Sequence, residues 1–191
     1  MKPIQSPVVQ VCHLAASGMQ LRHIAPSDSI LMGAFIARLS YASRYFRFGD
    51  GDFSASRPQL DALCTPDPDQ VTHFVMTCDR DGSLRVMASA RYVIDSETQT
   101  GEVAVLISDD WHGMGVGSIM MQALIDSARS RGLRGLLARC LRSNDRMIRL
   151  AVRHGFVRLT PADHPILNYR LAIDTPKVCQ PVVQVNTLVP G

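Results

Sequence analysis

Apolar positions recur along the chain with periods that change from segment to segment. Residues 19–24 read as a short strand. Pro26, Ser27 and Asp28 then give a fixed φ followed by two good N-cap residues, a helix start. Apolar side chains at 31, 32, 35, 36 and 39 follow at helical spacing. The stretch 40–53 is aromatic and basic, and a second short helix is expected over 58–64. The middle turns to β periodicity: strands at 72–78 and 84–94 flank Asp81-Gly82, a hairpin turn signal, and a third strand covers 102–107 after a polar loop. Apolar residues at 120, 121, 124, 125 and 128 mark a helix over 117–130. A buried strand over 135–141 precedes a helix over 144–154. Asn144 caps that helix, Asp145 lies in its first turn and Gly155 just past its end. Final strands are expected at 156–159 and 168–173.

The predicted order is β-α-α-β-β-β-α-β-α-β-β. A meander leading into βαβ units implies a mixed α/β (α+β) fold, with a mixed, mostly antiparallel sheet and helices on both faces. The expected organisation is one domain over 19–173, with extensions at 1–18, a candidate edge strand, and 174–191. The segments PVVQV at 7–11 and 181–185 echo each other and could pair within the chain or across a homodimer; chance similarity of two tails is the competing reading.

Composition narrows the function classes. The 191 residues are 46% hydrophobic and 19% charged, enough to bury a core and too apolar for wholesale disorder. No run approaches the ~20 apolar residues of a membrane span, and residues 1–18 make a poor signal peptide, so a cytoplasmic protein without a membrane partner is expected. The five cysteines are odd in number and widely spaced, and the six histidines are scattered; neither a disulfide framework nor a metal site is expected. Net charge is only +3. Residues 129–153 nonetheless hold Arg129, Arg131, Arg134, Arg139, Arg142, Arg146, Arg149 and Arg153 against the single acid Asp145. This surplus reads either as a solvated face or as the neighbourhood of an anionic ligand. Nucleic acid is disfavoured as that ligand, since no helix-turn-helix, zinc-finger or RNA-binding aromatic pattern accompanies the arginines.

The strongest chemical signal follows the third central strand. Residues 108–112, SDDWH, lead into Gly113-Met114-Gly115-Val116-Gly117-Ser118 and then a helix. Alternate glycines let the backbone turn sharply and let a ligand approach the main chain. At a helix N-terminus the free N–H groups of 113–118 would converge on an anion, most naturally phosphate or pyrophosphate. A Walker A loop is rejected because there is no lysine. A dinucleotide fold fits poorly: residues 108–112 separate strand from glycines, and no βαβ unit precedes them.

Residues 112–117 resemble the Q/R-x-x-G-x-G/A acetyl-CoA loop of the GNAT superfamily of N-acetyltransferases. Asn144, the helix after it and Gly155-Phe156 resemble that family's second motif, and residues 39–48, LSYASRYFRF, are similar to the stretch after the first helix in its bacterial protein-lysine acetyltransferases. The resemblance implies a sheet with a V-shaped gap between the strands ending at Ile107 and Leu141, occupied by acetyl-CoA as cosubstrate. Main-chain groups of Val105, Leu106 and Ile107 would bind pantetheine, with the Ile107 N–H as the oxyanion donor. Residues His112, Gly113, Met114, Gly115, Val116, Gly117 and Ser118 would hold pyrophosphate, and Asn144 would contact the cofactor or a nearby water. Glu102, ten residues before the loop, resembles the catalytic glutamate. A half-buried glutamate has a raised pKa and can take the amine's proton, whereas an ordinary strand-start residue is the competing reading. The acceptor would be an amine, of a protein lysine or a small molecule. Three departures stand out: Ala151 where many members carry tyrosine as proton donor, His112 for Gln or Arg, and Met114 for a basic residue. They leave a non-catalytic acyl-CoA-binding module as the alternative. Arg146, Arg149 and Arg153 could face the CoA phosphates or solvent; Tyr41, Tyr45 and Phe46 could wall the acceptor pocket or fill a core. Trp111 is read as packing, and His154 as a charge favourable to the end of its helix.

Overall fold

A computed structural model describes residues 13–14, 18–80 and 82–173. The elements are β1 (His13–Leu14), β2 (Met19–His23), α1 (Ser29–Arg38), α2 (Tyr41–Phe48), α3 (Arg57–Cys64), β3 (Val71–Arg80), β4 (Ser83–Asp95), β5 (Thr100–Ile107), α4 (Val116–Ser130), β6 (Gly135–Leu141), α5 (Asp145–Arg153), β7 (Val157–Arg158) and β8 (Ile166–Ala172). One sheet takes them in the order β1-β2-β3-β4-β5-β6-β8-β7. Every pairing is antiparallel except β5 with β6, so the expected mixed, mostly antiparallel sheet is present. The PVVQV segments and the extension 174–191 lie outside the described residues.

Each face of the sheet has its own core. Met120, Met121, Leu124, Ile125 and Ala128 of α4 form the predicted stripe and pack with Ala151 of α5 against Val103, Leu136 and Ala138. On the opposite face Met32, Phe35 and Ile36 of α1 and Leu60 and Cys64 of α3 pack against Val75, Val86 and Leu106. Fully burying side chains of this size stabilises by ~1.5–3 kcal/mol each. Strand alternation therefore assigns even-numbered residues of β5 to the α1–α3 face and odd-numbered residues to the α4–α5 face.

One helix departs from the expected order. Residues 41–48 form α2, where no helix is expected. Its ends are set by local chemistry: the Ser40 hydroxyl accepts from the Ser43 amide at 3.2 Å, and Gly49 closes it at φ +77°. Its N-terminus is held by the loop after β5. The Asp109 carboxylate accepts from the Ser40 amide (2.8 Å), the Ser40 hydroxyl (2.7 Å) and the Ser43 hydroxyl (2.8 Å).

The β5–β6 pairing positions the site. It runs only from Thr100 opposite Gly135 to Val103 opposite Ala138. Beyond that rung β5 stays paired with β4 as far as Ile107, and β6 with β8 as far as Leu141. The two strands thus fork after their last shared rung, leaving residues 104–107 and 139–141 unpaired with each other.

Candidate active site

A cleft of about 650 Å³ fills the fork and runs down to the glycine turn. It brings together Glu102, Val105, Leu106, Ile107, His112, Gly113, Gly115, Gly117, Ser118 and Asn144, all expected from the sequence. Two expected residues do not face it: the Met114 side chain points to solvent, 65% exposed, and that of Val116 is buried in the core. Their contribution can only be through the main chain.

The turn is built by backbone conformation. Gly113 has φ +78° and Gly115 φ +83°, values that cost a residue with a Cβ ~1–2 kcal/mol. A Cβ at either would meet nothing within 4 Å, so conformation alone selects glycine there. At Gly117 a Cβ would touch Leu150 at an ordinary 3.6 Å, and the turn does not need this third glycine. Helix α4 starts at Val116 with no side-chain cap. Among the described residues, the amides of 113–117 donate to no backbone or side-chain group. The Ser118 amide does not join them, because it donates to the Gly115 carbonyl at 3.0 Å. Free amides at the positive end of a fifteen-residue helix form an anion cradle, which fits a pyrophosphate.

Asn144 caps α5, its side-chain oxygen accepting from the Met147 amide at 3.1 Å. Its NH₂ group has no partner among the described residues, leaving it for a ligand or water. Arg146, Arg149 and Arg153 also line the cleft, so the ligand-facing reading of these arginines holds in space. His112 is pushed below the usual imidazole range by burial and then by Arg146, which together outweigh the opposing pull of Asp109, 3.7 Å away. It is neutral near pH 7. His154 is likewise held down by burial and then by Arg153, so the expected charge at the end of α5 is absent at neutral pH.

Glu102 is on the α1–α3 face beside Leu137, one rung before the fork. It is exposed, which corrects the expected half-buried setting: β5 is uncovered at this point, and the carboxylate meets water directly. Ala151 is fully buried in the core, so that position offers the cleft no proton donor. Trp111 packs partly against the core and also lines the cleft. Tyr41 and Tyr45 are exposed and stack with centroids 6.4 Å apart, whereas Phe46 walls the cleft. The sequence reading missed Ser43, Arg47 and Arg139, which line the cleft with Glu102, and Cys140, whose thiol burial pushes up. Arg47 and Ser43 were hidden with α2; Arg139 was visible only as one of a run of arginines. Among the described residues no cluster of His, Cys, Asp or Glu could hold a metal ion, and no helix is long and apolar enough to cross a membrane.

Sheet order, fork and amide cradle define an α/β domain with an anion-binding cleft, the architecture that the resemblance to acetyl-CoA-dependent acetyltransferases implies. Residues 36–156 match the Acetyltransferase (GNAT) family, and the chain belongs to that family. It is 38% identical over 154 residues to an acetyltransferase of Pseudomonas aeruginosa, covering 80% of this chain and 83% of the relative. It is also 38% identical over 90 residues to the acetyltransferase Pat of Mycolicibacterium smegmatis, covering 47% of this chain and 27% of that protein. Among solved structures, the GNAT domain of S. lividans PAT superposes with a TM-score of 0.72 at 22% identity, over 81% of this chain and 90% of that one. A ribosomal α-N-protein acetyltransferase solved with coenzyme A gives 0.69 at 15% identity, over 90% of this chain and 99% of that one.

Proposed function

We propose that the domain spanning 19–173 transfers the acetyl group of acetyl-CoA to a primary amine, of a protein lysine or a small molecule, by direct attack with both substrates bound. The observation that carries this reading is the presence in one cleft of the amide cradle at 113–117 and the carboxylate of Glu102. Acetyl-CoA supplies an activated thioester. The amides of 113–117 hold its pyrophosphate, with Arg146, Arg149 and Arg153 adding positive charge, and the Asn144 NH₂ binds the coenzyme or a water beside it. The edge of β5 left open over 104–107 offers main-chain groups to the pantetheine, the Ile107 N–H donating to the acyl oxygen as the family resemblance implies.

Glu102 accepts the proton that the amine must lose, directly or through a water that its exposure admits. With Ala151 in the core, the departing thiolate leaves without a tyrosine donor. A thiol ionises at ~8.5, close enough to neutral for that. The buried thiols Cys64, Cys78 and Cys140 are free, which accords with a reducing cytoplasm. A homodimer through the terminal segments is an arrangement for light scattering to examine.

Glu102→Gln tests the assignment. Acetyl-CoA affinity measured by calorimetry should stay at the wild-type value while acetyl transfer, followed by free-thiol release, falls ~10²–10⁴-fold. Wild-type turnover in the variant would remove Glu102 from the mechanism.

A further inference from the structure

Glu102 sits in a frame of arginines. Direct strand partners share a face, so His73, Arg91 and Ala104 form one rung on the Glu102 side and Val93, Glu102 and Leu137 the next. Arg139, two residues after Leu137, shares that face and lines the cleft. Arg47 enters the same cleft from α2, its guanidinium carbon 5.1 Å from the centroid of the Phe48 ring. Among the described residues none of Arg47, Arg91 and Arg139 has a hydrogen-bond or salt-bridge partner. The nearest other acid on this face of β4, Asp95, is occupied in its turn, accepting from the Glu97 and Thr98 amides at 2.9 and 3.3 Å.

Arg47 and Arg91 are half-buried, and the surroundings register their unpaired charge. The Arg47 guanidinium is pushed down to about 10 by burial and then by Arg91, and burial alone lowers Arg91. His73, buried between Ser89 and the Leu63 carbonyl, is pushed down to about 4 by burial, then by Arg91, with Arg47 adding to it. It is neutral and no counter-charge. Charged groups withdrawn from water are normally paired, and two guanidiniums are a strong site for a carboxylate. The same charges repel a protonated amine and so favour the neutral form that attacks.

We propose that Arg47 and Arg139, which line the cleft with Glu102, form a carboxylate subsite for the acceptor, with Arg91 on the adjacent rung adding to its positive charge: the amine that reaches Glu102 belongs to a molecule, or a peptide segment, that also carries a carboxylate. This rests on the acetyltransferase reading. The coenzyme phosphates have their own cationic groups on α5, so this pair is left for the second substrate. The carboxylate can come from a free amino acid-like compound or from an acidic residue beside a lysine.

Matched acceptors test this on the wild-type protein. One pair is a lysine peptide flanked by Glu and its Gln-flanked twin; the other is a free ω-amino carboxylate and its amide. In at least one pair the carboxylate member should show a KM lower by about tenfold or more, and the pair that does so identifies the source. Arg139→Met and Arg47→Met should each erase that preference while KM for acetyl-CoA stays within about twofold, and Arg47→Glu should favour the uncharged member. Equal use of both members in both pairs overturns the subsite and leaves the transferase standing, since transfer is then observed. A rise in the KM for acetyl-CoA instead of the acceptor overturns it too, assigning the arginines to the coenzyme. No transfer to any acceptor together with no acetyl-CoA binding by calorimetry removes the transferase reading and the subsite with it.

Discussion

Gly115 shows how a single residue fixes the amide cradle. Its φ of +83° turns the chain so that the amides on either side are free at the start of α4. Gly115→Ala should cost ~1–2 kcal/mol in chemical denaturation and weaken acetyl-CoA binding in calorimetry, because relieving the strain rotates those amides. Gly117→Ala should leave stability unchanged, since its Cβ makes only ordinary contact with Leu150. Equal stability of the two variants would contradict the division of labour assigned to these glycines. The glycine pattern was legible in the sequence because positive φ restricts residue choice so strongly. The setting of Glu102 was not, because exposure depends on which strands and helices cover β5. Nor was the arginine pair: Arg47 and Arg139 are 92 positions apart and come to one cleft only through the packing of α2 on the sheet.

At the scale of elements, α2 is tied through Asp109 to the loop that leads into the glycine turn. Burial opposes ionisation of that carboxylate, but the Ser40 amide and the Ser40 and Ser43 hydroxyls outweigh it, and its pKa lies below the usual value. A depressed folded-state pKa stabilises above the unfolded-state value, near ~3.9, and that stabilisation is lost as pH falls through the lower, folded-state value. Urea unfolding followed from pH 7 to pH 3 should therefore show a loss of stability below about pH 4 that is smaller in Asp109→Asn. Asp109→Ala should cost ~1–3 kcal/mol at neutral pH by leaving the end of α2 unpartnered. Identical pH profiles for wild type and Asp109→Asn would show that the anchor carries no such weight. Helix α2 escaped notice because it is only eight residues long: Tyr41, Tyr45 and Phe48 lie at i, i+4 and i+7 with Arg44 and Arg47 to one side of them, but two turns are too few for the period to stand out. Its Ser40 cap and Gly49 stop were present in the sequence. By contrast α4 was legible because 120, 121, 124, 125 and 128 all enter one core.

For the whole molecule, the decisive feature is the early end of the β5–β6 pairing at Val103 and Ala138. The order of strands and helices could be read from periodicity, since each period reports a local geometry. The fork could not, because pairing length depends on the register of distant strands; only the family resemblance pointed to it. Fork, cradle and Glu102 together make the claim that coenzyme A lies along the open edge of β5 with its diphosphate on residues 113–117. A crystal structure of the protein with acetyl-CoA tests this most directly. The account predicts diphosphate density within hydrogen-bonding distance of those amides and the thioester at the fork beside β5. Coenzyme bound elsewhere, with the turn free of phosphate, would contradict it.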